Sequence, residues 1–166
     1  MNCSLYLIRH GVAEDQGAAY PIDDERPLTE DGIRRIQQSI AGLRALDVTL
    51  DRVLSSPLVR ARQTAEIVAA GLECREPPQI VDALRPGGRF EALMAALERL
   101  GRDRAVALVG HEPSMGEFGA RLIGAARPLH FKKGGVCRID ADTIPPVGAG
   151  ALQWLLPPRA LRAFAR

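Results

Sequence analysis

The chain has 166 residues, 46% hydrophobic and 25% charged, with a formal net charge of +2. That balance excludes disorder, collagen and coiled coil, and it predicts one globular domain over 1–166 that buries roughly two thirds of its unfolded surface. Only 4% of residues are aromatic, so stacking platforms for single-stranded nucleic acid are missing, and a small basic excess does not drive binding to a polyphosphate backbone.

Strand-like and helix-like segments alternate along the chain, the pattern of a layered α/β sheet. Cys3 to Ile8 reads as the first strand. The irregular segment from Val12 to Pro27 follows, long enough to hold an active-site loop. Thr29 is placed to cap a helix running to about Leu46, with Ile33, Ile36, Ile40 and Leu43 at three-to-four spacing. Asp51 to Ser55 reads as a short strand, after which Ser56 can cap a helix that has Pro57 at its first position and ends at Gly71. A weaker strand is predicted over Gln79 to Leu84, then a turn at Arg85-Pro86-Gly87-Gly88 and a helix from Phe90 to Leu100. Ala105 to Val109 is a continuous apolar strand, and Pro113 opens a helix to about Ile123. Strands near Val136 to Ile139 and Ala151 to Leu156, and a short helix after Pro157-Pro158, complete the chain.

Cys3, Cys74 and Cys137 are too few and too scattered for a disulfide framework, and no Cys-x-x-Cys spacing points to zinc. The apolar opening is too short for a signal-peptide core, and no apolar run is long enough to span a bilayer. A cytoplasmic monomer without membrane or nucleic-acid partners is the expectation.

The chemistry lies in where the histidines fall. His10 and His111 each stand just past the carboxyl end of an apolar strand, where open parallel sheets bind their ligands. His10 sits in Arg9-His10-Gly11, whose guanidinium disfavours a protonated ring and whose glycine allows close backbone approach. The junction from Ser55 to Thr64 places Arg60 about one turn into a helix, and helix starts attract anions. Arg9, Arg60, His111 and two helix starts can therefore surround one dianion, with His10 as the in-line nucleophile of a phosphoryl transfer. In that arrangement arginines and His111 supply the positive charge, so neither metal nor other cofactor is expected. The structural alternatives are an Arg9 paired with Asp23 or Asp24 and an Arg60 on a solvated helix face. His130 receives no role, and Lys132 and Lys133 read as a solvated strand end beside the site.

These motifs resemble the histidine phosphatase superfamily, also called phosphoglycerate-mutase-like. Arg9-His10-Gly11, the block from Ser56-Pro57 through Arg60-Ala61 and Gln63-Thr64, and Gly110-His111 are similar to its three signatures. Arg26-Pro27-Leu28-Thr29 with Gly32, Leu84 to Gly88, and Leu155-Leu156-Pro157-Pro158 resemble its SixA-like protein-histidine phosphatases. The resemblance implies a three-layer α/β/α fold with a mostly parallel central sheet and a nucleophilic His10. It implies that Arg9, Arg60 and His111 bind the phosphoryl group, joined by Arg26 and the Gly11 backbone.

It also implies a protein phosphohistidine as substrate, for instance on a histidine phosphotransfer domain. This chain has little room for the lid that carries an acid in larger relatives, and a departing imidazole needs no strong acid. If an acid exists, Glu14, Asp82 and Glu112 are the candidates. The alternatives are a phosphatase of small phosphomonoesters, or a non-catalytic module that docks phosphoproteins.

Overall fold

The computed structural model describes residues 2–165. In chain order the elements are β1 (Cys3–Arg9), α1 (Glu30–Ala45), β2 (Arg52–Ser55), α2 (Val59–Gly71), β3 (Gln79–Ile80), α3 (Phe90–Glu98), β4 (Ala105–Gly110), α4 (Ser114–Ile123), β5 (Val136–Ala141), β6 (Ala151–Leu156) and α5 (Pro158–Phe164). The strands form one sheet in the order β3-β2-β4-β1-β5-β6. β1 runs parallel to β4, and β2 parallel to β4 and β3, while β5 is antiparallel to both β1 and β6. The sheet is thus mostly parallel, as the alternating pattern predicts.

Strand alternation sorts the core into two layers. Tyr6, Ile8, Val53, Ala107 and Val109 face α1, α2 and α5, where Ile36, Ile40, Leu43, Ala65, Val68 and Leu161 close the first layer. Leu5, Leu7, Leu54, Val106 and Leu108 face α3 and α4, where Leu93, Leu97, Met115, Phe118 and Leu122 close the second. Buried on both faces, β1 and β4 read as continuous apolar runs rather than as alternating ones.

Thr29 caps α1 as its sequence suggests, accepting from the Gly32 amide at 2.9 Å. Three expectations change. The helix after β2 begins at Val59 with Leu58 at its cap position, not at Ser56-Pro57, so Arg60 is its second residue rather than one turn in. Only Gln79 and Ile80 of the segment Gln79 to Leu84 pair as a strand; the chain then turns into a 3-10 helix over Asp82–Leu84. The irregular segment is partly ordered by its own bonds, with a 3-10 turn at Asp23–Glu25 and a bridge between Ala13 and Leu28.

α1 and α5 approach so closely that only glycine fits between them. A Cβ on Gly42 would lie 1.9 Å from the carbonyl oxygen of Leu161. Alanine is the better helix former by up to ~1 kcal/mol, so propensity and packing pull in opposite directions here. Gly42→Ala is expected to destabilise the fold by about 1–3 kcal/mol in denaturant unfolding, and a stabilised variant would mean the two helices separate without cost.

Candidate active site

The carboxyl ends of β1, β2 and β4 meet at one edge of the sheet, and the segments leaving them supply the site. Because Arg9 pairs with Gly110 across the parallel ladder, and the His10 amide donates to the Gly110 carbonyl at 3.0 Å, the next residue of each strand is a histidine in the same place. The ring centroids of His10 and His111 are 4.9 Å apart. Together with Arg9, Arg26, Arg60 and Asp23 they line a cavity of about 380 Å³.

Each ring is oriented by a specific bond. His10 Nδ1 lies 2.7 Å from the Gly11 carbonyl, which can only accept, so Nδ1 carries the hydrogen and Nε2 keeps its lone pair. His111 Nε2 lies 2.8 Å from Ser56 Oγ. That hydroxyl accepts from the Leu58 amide and keeps both a proton and a second lone pair, so it suits either tautomer; where it donates to Nε2, His111 Nδ1 is the ring's N–H.

Burial, reinforced by the neighbouring ring and the Arg60 and Arg9 guanidiniums, lowers the His10 pKa to about 3. Burial, with Arg60 next in weight, lowers that of His111 to about 4. Both rings are neutral at physiological pH, so the positive charge here comes from the arginines and not, as the motif suggests, from His111 as well.

The arginines are held differently from one another. Arg9 donates to the Phe131 carbonyl at 2.8 Å and pairs with neither Asp23 nor Asp24. Arg60 is buried, not on a solvated face, and donates to the Asp23 carbonyl at 2.7 Å and to its carboxylate at 2.8 Å. Arg26 grips the other oxygen of the same carboxylate and the Glu14 carbonyl. Burial pushes the Asp23 carboxyl upward, but the bonds from Arg60 and Arg26 outweigh it and hold its pKa below the usual value.

Four buried side-chain atoms among the described residues have no hydrogen-bond partner, namely Arg9 Nε, Arg60 Nε, His111 Nδ1 and Arg162 Nη1. The first three belong to residues lining this cavity. The arginine nitrogens are donors, as is His111 Nδ1 when Nε2 accepts from Ser56, and an unmet buried donor calls for an acceptor from outside the chain, a water or an anion.

The structure brings His10, His111, Arg9, Arg60 and Arg26 together. Gly11 lines a neighbouring cavity rather than this one; its amide donates to Thr64 Oγ1 at 3.1 Å, and a Cβ there would come within 3.0 Å of Ile36 and 3.2 Å of Leu28.

Two of the three candidate acids do not line the cavity: Glu14 gives its backbone carbonyl to Arg26, and Asp82 pairs with Arg85. Glu112 lines the cavity, but its carboxylate accepts from the Gly116 and Phe131 amides. Asp23 and Ser56 are the participants that sequence reasoning left without a site role. His130 is exposed, and among the described residues no group of three His, Cys, Asp or Glu could hold a metal ion. No described helix is long and apolar enough to cross a membrane.

A mostly parallel sheet, two facing strand-end histidines and a ring of guanidiniums define an α/β phosphoryl-handling enzyme fold. The family model of the histidine phosphatase superfamily (branch 1) matches residues 5–135, and the chain belongs to that superfamily, in its SixA-like branch. It is 39% identical over 150 residues to an uncharacterized protein of Picosynechococcus sp., covering 84% of this chain and 90% of that one. It is 28% identical to phosphohistidine phosphatase SixA of Escherichia coli, over 95% of this chain and 96% of the relative. The structure of the protein histidine phosphatase SixA complexed with tungstate superimposes with a TM-score of 0.84 at 28% identity, covering 95% of this chain and 99% of that one. The chain is a histidine phosphatase.

The depressed imidazole pKa values tie the site to stability. Unfolded histidines titrate near 6.5, so between that pH and the folded values of about 3 and about 4 the unfolded chain binds more protons. Stability from these rings is full above pH 6.5 and is lost as pH falls, at about 1.4 kcal/mol per pH unit for each ring. Unfolding free energies measured from pH 7 to pH 4.5 should fall more steeply for wild type than for His10→Ala, and parallel slopes would refute the buried-neutral assignment.

Proposed function

We propose that this chain removes the phosphoryl group from a phosphohistidine carried by a protein, such as a histidine phosphotransfer domain, through a covalent phosphohistidine on His10. The observation that carries the reading is the pair of facing imidazoles beside Arg9 and Arg60, each of which keeps a buried Nε without a partner. Tetrahedral oxyanions are what such a ring accepts, and tungstate, present in the SixA structure similar to this one, is such an anion. The related Escherichia coli protein is named as a phosphohistidine phosphatase.

In the first step the Nε2 lone pair of His10 attacks phosphorus as the P–N bond to the substrate imidazole breaks, and that imidazole takes its proton from water. In the second, water attacks the phosphoryl group on His10 as the P–N bond breaks, releasing inorganic phosphate and restoring the lone pair, and the proton it sheds returns to the solvent that protonated the leaving imidazole. Arg9, Arg26, Arg60 and the Nδ1–H of His111 balance charge on the equatorial oxygens. Asp23 is the cavity carboxylate not consumed by backbone amides, and its arginine partners keep it ionised, a poor acid. That suits an imidazole leaving group and disfavours an alkoxide, which needs protonation.

His10→Ala is expected to lower turnover of a phosphorylated phosphotransfer domain by about 10³-fold or more, while phosphate or tungstate binding in calorimetry changes only a few-fold. Wild type should carry an acid-labile phosphoryl label on His10 during turnover, and a chelator should leave the rate unchanged. Preference for a panel of sugar and nucleotide phosphates over the phosphoprotein would overturn the substrate assignment, and undiminished activity of His10→Ala would overturn the mechanism.

A further inference from the structure

Beside the cavity just described lies a second one, of about 410 Å³, and the two share Arg9 and Lys133 as a common wall. Its charged lining consists of Arg9, Arg35, Lys132, Lys133, Arg159 and Arg162, with no carboxylate among the lining residues. Gly11, Val12, Ile36 and Pro158 give it an apolar floor. The fold holds this rim in place from two sides. The Gly134 amide donates to the carbonyls of both Arg9 and His10, which ties the lysine pair to the end of β1. On the other side, α5 carries Arg159 and Arg162 and is packed onto α1 through Gly42.

Six like charges line the groove and, among the described residues, only one of them has a carboxylate partner; a cleft lined by one sign focuses its field on an incoming ligand. Arg35 is paired with Asp31. Lys132, Lys133 and Arg159 make no ion pair among the described residues. Arg162 Nη1 is buried without a hydrogen-bond partner.

We propose that this groove binds an acidic stretch of the phosphoprotein substrate, several Asp or Glu side chains lying along it while the phosphohistidine enters the adjoining cavity. The inference rests on the functional reading above and names what selects the protein. The number of charges favours several carboxylates on a polypeptide over a second phosphate: six cations carry more charge than one dianion balances, and the apolar floor accepts the methylene stems of acidic side chains. The exposed rim charges act on encounter and affinity rather than on the bond-breaking step.

Lys132 and Arg159 are exposed and lie outside the catalytic cavity, so Lys132→Gln/Arg159→Gln tests the groove without touching the chemistry. Three probes are compared in wild type and variant: a phosphotransfer domain phosphorylated on histidine, N-phosphoimidazole, and a fluorescent hexaglutamate peptide binding at low salt. The expected result is a KM for the phosphorylated domain raised about 10-fold with kcat unchanged, N-phosphoimidazole turnover unchanged, and hexaglutamate binding lost. Equal effects on both substrates, or none on the domain, would overturn the groove assignment. If wild type hydrolyses N-phosphoimidazole but not the phosphorylated domain, the protein-substrate reading fails by itself. The groove is then decided by hexaglutamate: binding by wild type and not by the variant supports it, and no binding by wild type sinks it.

Discussion

Everything at the site depends on β1 and β4 being hydrogen-bonded parallel neighbours in one particular register. Parallel strands end at the same edge of a sheet, and the pairing of Arg9 with Gly110 puts His10 and His111 at the next step of that ladder. β2 runs parallel on the other side of β4, with Ser55 opposite Val109, so Ser56 arrives one step before His111 and within reach of its ring. The chain leaves β1 toward β2 in one direction across the sheet and leaves β4 toward β5 in the other. The crevice between the departing segments therefore stays open, as at other strand-order reversals. A slip of one residue in the β1–β4 pairing would turn Leu5 and Leu7 toward the wrong layer, so the packing that buries those leucines also fixes the distance between the two imidazoles.

The sequence makes visible what this constraint uses. Apolar runs of strand length, each followed at once by a histidine, are legible because both the run and its end are local features. The helix periods and the Thr29 cap are legible for the same reason. What escapes local reading is decided by partners distant in the chain. Ser56-Pro57 has the composition of a helix start, but its hydroxyl is drawn to His111, 55 positions away, and α2 begins three residues later. Gln79 to Leu84 has the composition of a strand. Pairing ends after Ile80, however, and the chain turns at Asp82 into a 3-10 helix.

Acidic residues mislead in the same way. Glu112 follows His111 directly and so looks like a proton donor, yet the amides of Gly116 and Phe131 claim both its oxygens. By binding Phe131 it steadies the residue whose carbonyl holds Arg9, an indirect service to the site. Asp23 lies in a segment with no period, where the spacing of three to Arg26 is the one local hint of its ion pair; its bond to Arg60 spans 37 positions and has no local signature.

The electrostatic cost of the arrangement explains its shape. A buried donor without a partner costs about 1–3 kcal/mol, and folded proteins keep few of them. Here all four found among the described residues belong to side chains that line one of the two adjoining cavities, three at the imidazole pair and the fourth at the cationic groove. Guanidiniums cannot shed their charge, so the protein tempers the site through the imidazoles, which burial keeps neutral, and through Asp23, whose carboxylate occupies part of the arginine fork. Asp23 is itself partly exposed and sits on a short turn, so an arriving dianion competes with a carboxylate that can return to water. The remaining donors are already fixed by strand ends and helix starts before any ligand arrives. Stability forgone in the free protein thus reappears as binding with little reorganisation, and such fixed dipoles are most effective where negative charge must be held during transfer.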